Sequence, residues 1–373
     1  MAEAELRIGV IGAGRWANMA HLPGWKRDPR CELVAVCDVD RALADKAAQE
    51  YGIPTATTDA NDVLANDDID VVDVVTGDHS HFELTMAALE AGKHVLVEKP
   101  VAHDFRDTLR ARDLAAERGL KTKVGFTFRY SPAVRYMKEL IDEGWVGTPY
   151  IYNAYEQNSQ WINPQTPLRQ IPSDVDASRI RVSSLEGYGA PVIDLGHWFM
   201  NADLTSVVGV LRNFVPERMI RETGTMMRAN IDDGDIFIGE FDGGAICSVQ
   251  SSFVTVGNYP GIEVRVYGSE GALIARLVDE FGVMETLRGA RPDAVEFVDV
   301  EVPQRLFPPG GTVHEPWPSL YYANLTANFV DEILGGGEKN EGNFADAAWV
   351  QEVINAVEQS HHERGWVDLP LPR

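Results

Sequence analysis

The feature that most constrains this chain is the run Leu6-Arg-Ile-Gly-Val-Ile-Gly-Ala-Gly-Arg-Trp-Ala17. A strand leads into Gly12-x-Gly14-x-x-Ala17 and then into a helical segment. The first glycine permits a tight turn, the second lets the backbone approach a pyrophosphate, and the third position needs only a small residue for helix to pack on strand. Asp38 closes the next apolar run, about 20 residues on, where a carboxylate accepts hydrogen bonds from the ribose hydroxyls of adenosine. The pattern predicts Gly12, Gly14, Arg15 and Trp16 beside a dinucleotide and Asp38 on its ribose. That carboxylate repels a 2′-phosphate, which favours NAD over NADP. Arg41 works against the preference, because a nearby guanidinium can pair with such a phosphate. The plainer alternative is a glycine turn with Asp38 merely ending a strand.

From Leu6 to about Glu143, short apolar runs alternate with segments of helical period, the pattern of a parallel sheet with crossover helices. Strands are expected at Leu6–Ile11, Leu33–Cys37, Val71–Val75, His94–Val97 and Lys123–Phe126, with helices at Trp16–Lys26, Arg41–Tyr51, His81–Ala91 and Phe105–Arg118. Gly92, Gly119 and Gly144 stand where a positive φ ends a helix cheaply. Beyond residue 130 the pattern changes to longer alternating runs, Ile236–Phe241, Ala245–Val254 and Gly261–Tyr267, with turns at Asp242-Gly243-Gly244 and Tyr259-Pro260-Gly261. These predict a large, mostly antiparallel sheet, covered on one face by helices at Tyr321–Leu334 and Phe344–Glu363. The stretch 156–185 has neither period and is expected to be a long loop. At 373 residues the chain exceeds one ordinary core. The expected organisation is an α/β protein: a doubly wound Rossmann domain at 1–130, then an α+β domain at 131–373.

The formal charge of −24 argues against nucleic-acid and anionic-membrane partners. Cys31, Cys37 and Cys247 form no CxxC pair, so buried thiols in a reducing compartment are expected, with no disulfide framework. The acidic N-terminus lacks the pattern of a secretory signal, and no apolar run is long enough to span a bilayer. A cytoplasmic protein is the expectation. His361 and His362 have no matching carboxylate or cysteine cluster, so no metal site is expected.

At Glu98-Lys-Pro100, directly after the strand His94–Val97, the residues acquire a family likeness. With the glycine turn, Thr76-Gly-Asp-His-Ser-His81, Ala88-Leu-Glu-Ala-Gly-Lys-His-Val-Leu-Val-Glu-Lys-Pro100, Val124-Gly-Phe-Thr-Phe-Arg-Tyr-Ser-Pro132 and Val264-Arg-Val-Tyr-Gly-Ser-Glu-Gly-Ala272, the chain resembles the Gfo/Idh/MocA family of NAD(P)-dependent sugar and polyol oxidoreductases. A lysine at the carboxyl end of a sheet strand lies where doubly wound folds bind ligands, and can exchange a proton with a hydroxyl being oxidised. Lys99 is therefore the first candidate acid–base. The resemblance implies the same role, and implies that Glu98 positions the cofactor, that Pro100 follows a cis peptide and that His81 lies near the cofactor. For His81 a purely structural part at the helix start is the alternative.

The family usually adds an Asp-x-x-x-His pair in its second domain, and here the pattern departs. One register pairs Asp194 with His197, three apart and still on one helical face. The other places Gly187 and Pro191 at the two usual positions, leaving Lys99 to work with Tyr188, His197 or a water. Thr76 is expected beside the nicotinamide or pyrophosphate. Arg129 either reaches substrate or cofactor or forms a structural ion pair. Trp161 either stacks on a sugar ring or packs in the scaffold.

The main expectation is an NAD-dependent dehydrogenase of a sugar, cyclic polyol or sugar derivative, with substrate between the first domain's carboxyl edge and the second domain's sheet. Two rivals stand beside it: a redox-neutral enzyme working through a transient ketone, and a non-catalytic cofactor sensor. The resemblance further implies a homodimer or homotetramer joined through the second-domain sheet.

Overall fold

The computed structural model describes residues 5–168, 179–221, 223–256, 261–277, 285–335 and 341–373. It resolves into two compact units, one made of Met1–Pro132 with Gln304–Gln351, the other of Ala133–Pro303 with Glu352–Arg373.

The first unit is built on six strands: β1 (Leu6–Ile11), β2 (Cys31–Cys37), β3 (Thr55–Thr57), β4 (Val71–Val74), β5 (His94–Val97) and β6 (Thr122–Val124). They lie in the order β3-β2-β1-β4-β5-β6, and every pair is parallel. β1 and β4 are neighbours at the centre, where the winding changes direction, and it is at the carboxyl ends of such strands that doubly wound sheets bind ligands. The helices between strands follow local signals. Asp40 caps α2 (Arg41–Tyr51) by accepting from Ala42 N, and Gly52, at φ +70°, ends it. Asp104 likewise caps α5 (Phe105–Glu117). Gly92 and Gly119 adopt positive φ as expected. The expected first helix is divided: Ala17–His21 forms a π-helical turn before α1 (Leu22–Arg27). β6 ends two residues early, and a 3-10 turn at Thr127–Tyr130 follows.

A larger departure concerns the helix Trp317–Leu334, which was expected over the second sheet. It belongs to the first unit, so a single division at residue 130 does not describe the contacts. Its partners explain the placement. Trp317 meets Trp16 with ring centroids 5.7 Å apart, Asp331 takes a hydrogen bond from Arg30, and Glu332 pairs at 2.8 Å with the fully buried Lys123. A buried ammonium requires a counter-charge, and only this helix brings Glu332 to it among the described residues.

The second unit carries a nine-stranded sheet in which β7 (Pro149–Gln157), β8 (Leu204–Arg212), β11 (Gly234–Phe241), β12 (Ile246–Ser252), β13 (Gly261–Gly268) and β14 (Ala272–Leu277) are the long strands. All the pairs are antiparallel except β7 with β12. Gly243 and Gly244 turn the β11–β12 hairpin at φ +85° and +89°. One face packs under the helix Ala190–Met200. There Tyr152 Oη donates to Val192 O at 2.6 Å, and Gly196 leaves room for the Tyr152 ring, 2.7 Å from where a Cβ would stand. On the opposite face, among the described residues, Val210, Ile236, Ile238 and Ile246 stay 40%, 51%, 45% and 47% exposed. Within the loop expected at 156–185, β7 runs on to Gln157 and residues 169–178 lie outside the described ones, as do Tyr259 and Pro260 of the expected turn.

Candidate functional site

The site in the first unit starts from the glycine turn. Gly12 has φ +107°, and a Cβ on it would lie 2.4 Å from Val75 O. Only glycine lets the end of β1 pass this close to the end of β4. Gly14 is the opposite case, since a Cβ there would meet nothing within 4 Å. Asn18 Nδ2 donates to both Ala13 O and Gly14 O at 2.8 Å, which turns those carbonyls toward the helix. The open side of the turn is thus the shape that a pyrophosphate needs, a surface a side chain would fill. Arg15 is exposed beside it.

Asp38 ends β2 as expected. Its Oδ2 accepts from Ala13 N at 2.8 Å and its Oδ1 from Asp40 N at 2.9 Å, so one carboxylate joins the glycine turn to the head of α2. Arg41 points elsewhere, holding Asp45 at 2.8 Å on its own helix.

Trp16, the residue after Arg15, donates from Nε1 to Glu98 Oε1 at 2.9 Å. This single bond brings the glycine turn to Glu98-Lys99-Pro100. The Lys99–Pro100 peptide is cis, and Lys99 is half-buried at the carboxyl end of β5. His81, nearly fully buried, sets its Nδ1 2.7 Å from Pro100 O and its Nε2 3.2 Å from Thr76 O. It ties together the loops after β4 and β5, a supporting position with little surface to offer a ligand. Thr76 Oγ1 shares a 2.7 Å hydrogen bond with Ser80 Oγ. Arg129 is buried and paired with Asp346 at 3.3 Å.

Beneath Glu98 lies a buried cluster that sequence reasoning missed. Glu98 Oε1 also accepts from His21 Nε2 at 3.2 Å and from the Tyr322 hydroxyl. On the far side, His21 Nδ1 lies 2.9 and 3.0 Å from the two oxygens of Asp73, one of which also accepts from Trp25 Nε1 at 2.7 Å. Burial by itself would lower the His21 pKa, yet the Asp73 charge and the bonds to both carboxylates raise it to about 9. Burial would raise Glu98, but the bond to His21 and the charges of His21 and Lys99 hold it down at about 2. Gly125 makes room for the arrangement, because a Cβ there would lie 2.3 Å from Glu98 Oε1. One signal was present in the sequence: Asp73 is a charge inside the apolar run of a central parallel strand, where burial demands a partner.

The candidates in the second unit are placed separately. Asp194 is fully buried in the helix Ala190–Met200. His197 Nε2 pairs with Asp203 at 3.1 Å. Gly187 faces open space on a second π-helical turn, Leu185–Gly189, and Pro191 is buried just after it. Tyr188, on that turn, donates to Gln160 Oε1 at 2.7 Å. Trp161 meets Tyr188 and Phe253 edge-on, with centroids 6.4 and 5.4 Å away, and packs on Ala229 and Ile231.

Comparison with known proteins gives matches over most of the chain. The Gfo/Idh/MocA oxidoreductase model, described as an NAD-binding Rossmann fold, matches residues 6–126, and that family's C-terminal domain model matches residues 134–274. An inositol 2-dehydrogenase/D-chiro-inositol 3-dehydrogenase of Lactiplantibacillus plantarum is 31% identical over 73% of this chain and 72% of its own. A levoglucosan dehydrogenase of Pseudarthrobacter phenanthrenivorans is 24% identical over 98% of both chains. Among solved structures, an oxidoreductase domain protein from Kribbella flavida superposes with a TM-score of 0.87 at 28% identity, covering 99% of this chain and 100% of that one. A levoglucosan dehydrogenase in complex with NADH has the same fold, with a TM-score of 0.84 at 24% identity, covering 98% of this chain and 100% of that one.

Proposed function

Because this chain belongs to the Gfo/Idh/MocA family of oxidoreductases, we propose that it is an NAD-dependent dehydrogenase oxidising a secondary hydroxyl of a sugar, cyclic polyol or sugar derivative. The observation that carries this reading is the Trp16–Glu98 hydrogen bond, which joins an open glycine turn to the lysine at the end of β5. The substrate class rests on the inositol and levoglucosan dehydrogenases among its relatives.

The residues divide the work by position. Gly12 and Gly14 admit the pyrophosphate of the dinucleotide, and Asp38 takes the adenosine ribose hydroxyls. With Arg41 committed to Asp45, nothing in that pair counters the repulsion Asp38 exerts on a 2′-phosphate, so NAD is preferred to NADP. A bound NAD would supply the acceptor for the hydride of the carbinol carbon. Lys99 Nζ, as the neutral amine, would take the proton of the substrate hydroxyl and, as the ammonium, return it in reduction. Glu98 is ionised throughout the neutral range and holds a negative charge next to the ammonium that the transfer leaves on Lys99. His81 and the Thr76 loop hold the turn that carries Lys99. Much of the rate comes from orientation, since reacting groups held about 3–3.5 Å apart react as one unit.

The open sheet face of the second unit supports assembly into a homodimer or homotetramer. Val210, Ile236, Ile238 and Ile246 are an apolar surface of the kind that subunit contact removes from water. Light scattering of the purified protein tests this, and a monomer overturns it. The enzymatic reading is tested with sugars, inositols and anhydrosugars, each offered with NAD and with NADP, followed by nicotinamide absorbance and product analysis. Stoichiometric NADH formation with at least one of them is expected. Product formed with no net NADH would instead mark a redox-neutral reaction.

A further inference from the structure

We propose that His21 and Asp73 are the positioning pair of this site: a buried imidazolium, held from behind by Asp73, fixes the Glu98 carboxylate as an anion and keeps its second oxygen available on the Lys99 side. The proposal rests on the cofactor-binding reading above and deepens it.

The geometry supplies the argument. Both ring nitrogens of His21 face carboxylate oxygens, Nδ1 toward Asp73 and Nε2 toward Glu98. A neutral ring has one N–H, so its other nitrogen would set a lone pair against an oxygen about 3 Å away. The imidazolium donates from both sides and satisfies both acids. Trp16, His21 and Tyr322 all donate to the same atom, Glu98 Oε1, which fills the lone pairs of that oxygen. Oε2 receives only the Lys99 N–H, at 3.2 Å, among the bonds described for it. It therefore retains acceptor capacity for a donor such as the carboxamide of a nicotinamide. The groups facing His21 are Asp73 from β4, Glu98 just after β5 and Tyr322 from the helix Trp317–Leu334, whose ring lies 4.2 Å away by centroids. Lys99 acts on the same carboxylate through its charge. The π-helical turn Ala17–His21 accounts for the placement, since the wider turn carries His21 to a fully buried position beneath the sheet edge.

A positioning role differs from a packing role in its pH dependence. NAD affinity, measured calorimetrically without substrate, is expected to stay level through neutral pH in the wild type and to weaken as pH rises through about 9, where His21 discharges. In His21→Gln that alkaline limb disappears. An acid limb then enters as Glu98, still buried, loses the partner that kept it ionised, and the NAD dissociation constant at neutral pH rises roughly tenfold. In Asp73→Asn the alkaline limb moves down by about one pH unit or more, because the imidazolium has lost its main counter-charge. Tyr322→Phe removes a neutral donor from the same oxygen and weakens binding while leaving both limbs in place. Variants of His21 and Asp73 that lower the melting temperature yet keep the wild-type pH profile would overturn the proposal. Where a variant does not fold, imidazole nitrogen resonances of the wild type decide, since a neutral His21 ring at neutral pH is equally fatal. A wild type that binds no NAD would refute the cofactor reading instead, and the imidazole measurement keeps the two failures apart.

Discussion

Substituting the two glycines of the turn separates what the fold needs from what the cofactor needs. A Cβ on Gly14 would meet nothing within 4 Å, so the unliganded protein accepts Gly14→Ala without rearrangement. Fewer unfolded conformations make the change neutral or stabilising by about 0.4–1 kcal/mol. The same methyl group stands where the backbone has to approach a pyrophosphate, and the NAD dissociation constant is expected to rise at least tenfold, about 1.4 kcal/mol. Gly12→Ala does the reverse. Its φ is +107°, and the added carbon would lie 2.4 Å from Val75 O, 2.6 Å from Val75 C and 3.0 Å from Thr76 N. These are backbone atoms held by the bonds of Val75 N to Ile11 O at 2.8 Å and Gly12 N to Cys37 O at 2.7 Å, so they cannot retreat without breaking the sheet end. Backbone strain and overpacking, each about 1–3 kcal/mol, together destabilise by about 2–6 kcal/mol. Urea unfolding of the unliganded variants and calorimetric titration with NAD measure both quantities. Wild-type NAD affinity in Gly14→Ala, or wild-type stability in Gly12→Ala, would refute the reasoning.

Lys99→Ala is expected to lower kcat by about 10²–10⁴ while leaving the melting temperature near that of the wild type; full turnover on an identified substrate would remove Lys99 from the chemistry. Stability should follow the cluster around Glu98. His21, with its pKa raised from 6.5 to about 9, contributes fully below pH 6.5 and loses that contribution as pH rises through 9. Glu98, lowered from 4.5 to about 2, contributes fully above 4.5 and loses its part as pH falls through 2. Unfolding free energies on either side of the alkaline window should differ by about 2–3 kcal/mol more in the wild type than in His21→Gln, and equal differences would contradict the assignment. Asp38→Ala should reduce the preference for NAD over NADP by about tenfold in kcat/KM, as removal of a repelling charge requires; an unchanged ratio would place cofactor selection elsewhere.

Most of the first unit was legible because each of its signals is local. Alternating apolar runs, the Asp40 and Asp104 caps and glycines at helix ends all act within a few residues, and β1, β5 and α2 fall at the expected residues. The glycine turn and Asp38 were legible for the same reason. What sequence could not supply was pairing between distant elements. The helix Trp317–Leu334 carries an apolar stripe that fits either unit; the decision lies in Glu332 reaching Lys123 and Tyr322 reaching Glu98, contacts more than 200 residues apart in the chain. His21 was overlooked because its meaning depends on Asp73 and Glu98 from two other strands, and because the π-helical turn that places it leaves no mark in hydrophobic period. In the second unit the registers of 186–198 differ only in which residues meet a ligand, something periodicity does not encode.

The balance of charge around Glu98 also bears on how so acidic a chain takes up an anionic cofactor. The formal charge of −24 is spread over 373 residues, and at physiological ionic strength charges more than about 8 Å away are screened. Within the site the count is even: Asp73 and Glu98 are offset by His21 and Lys99. Were His21 neutral, two desolvated carboxylates would face one half-buried ammonium, and the cheaper outcome would be a protonated Glu98. Buried pairs are screened by salt far less than surface ones, and the open side of the glycine turn offers backbone to the phosphates, with Arg15 the exposed cation beside it. NAD affinity is therefore expected to vary by less than about threefold as added salt is raised to about 0.5 M. A steep fall would mean that Arg15, and not the shape of the turn, carries the pyrophosphate, and Arg15→Gln would then lose the salt dependence together with the affinity.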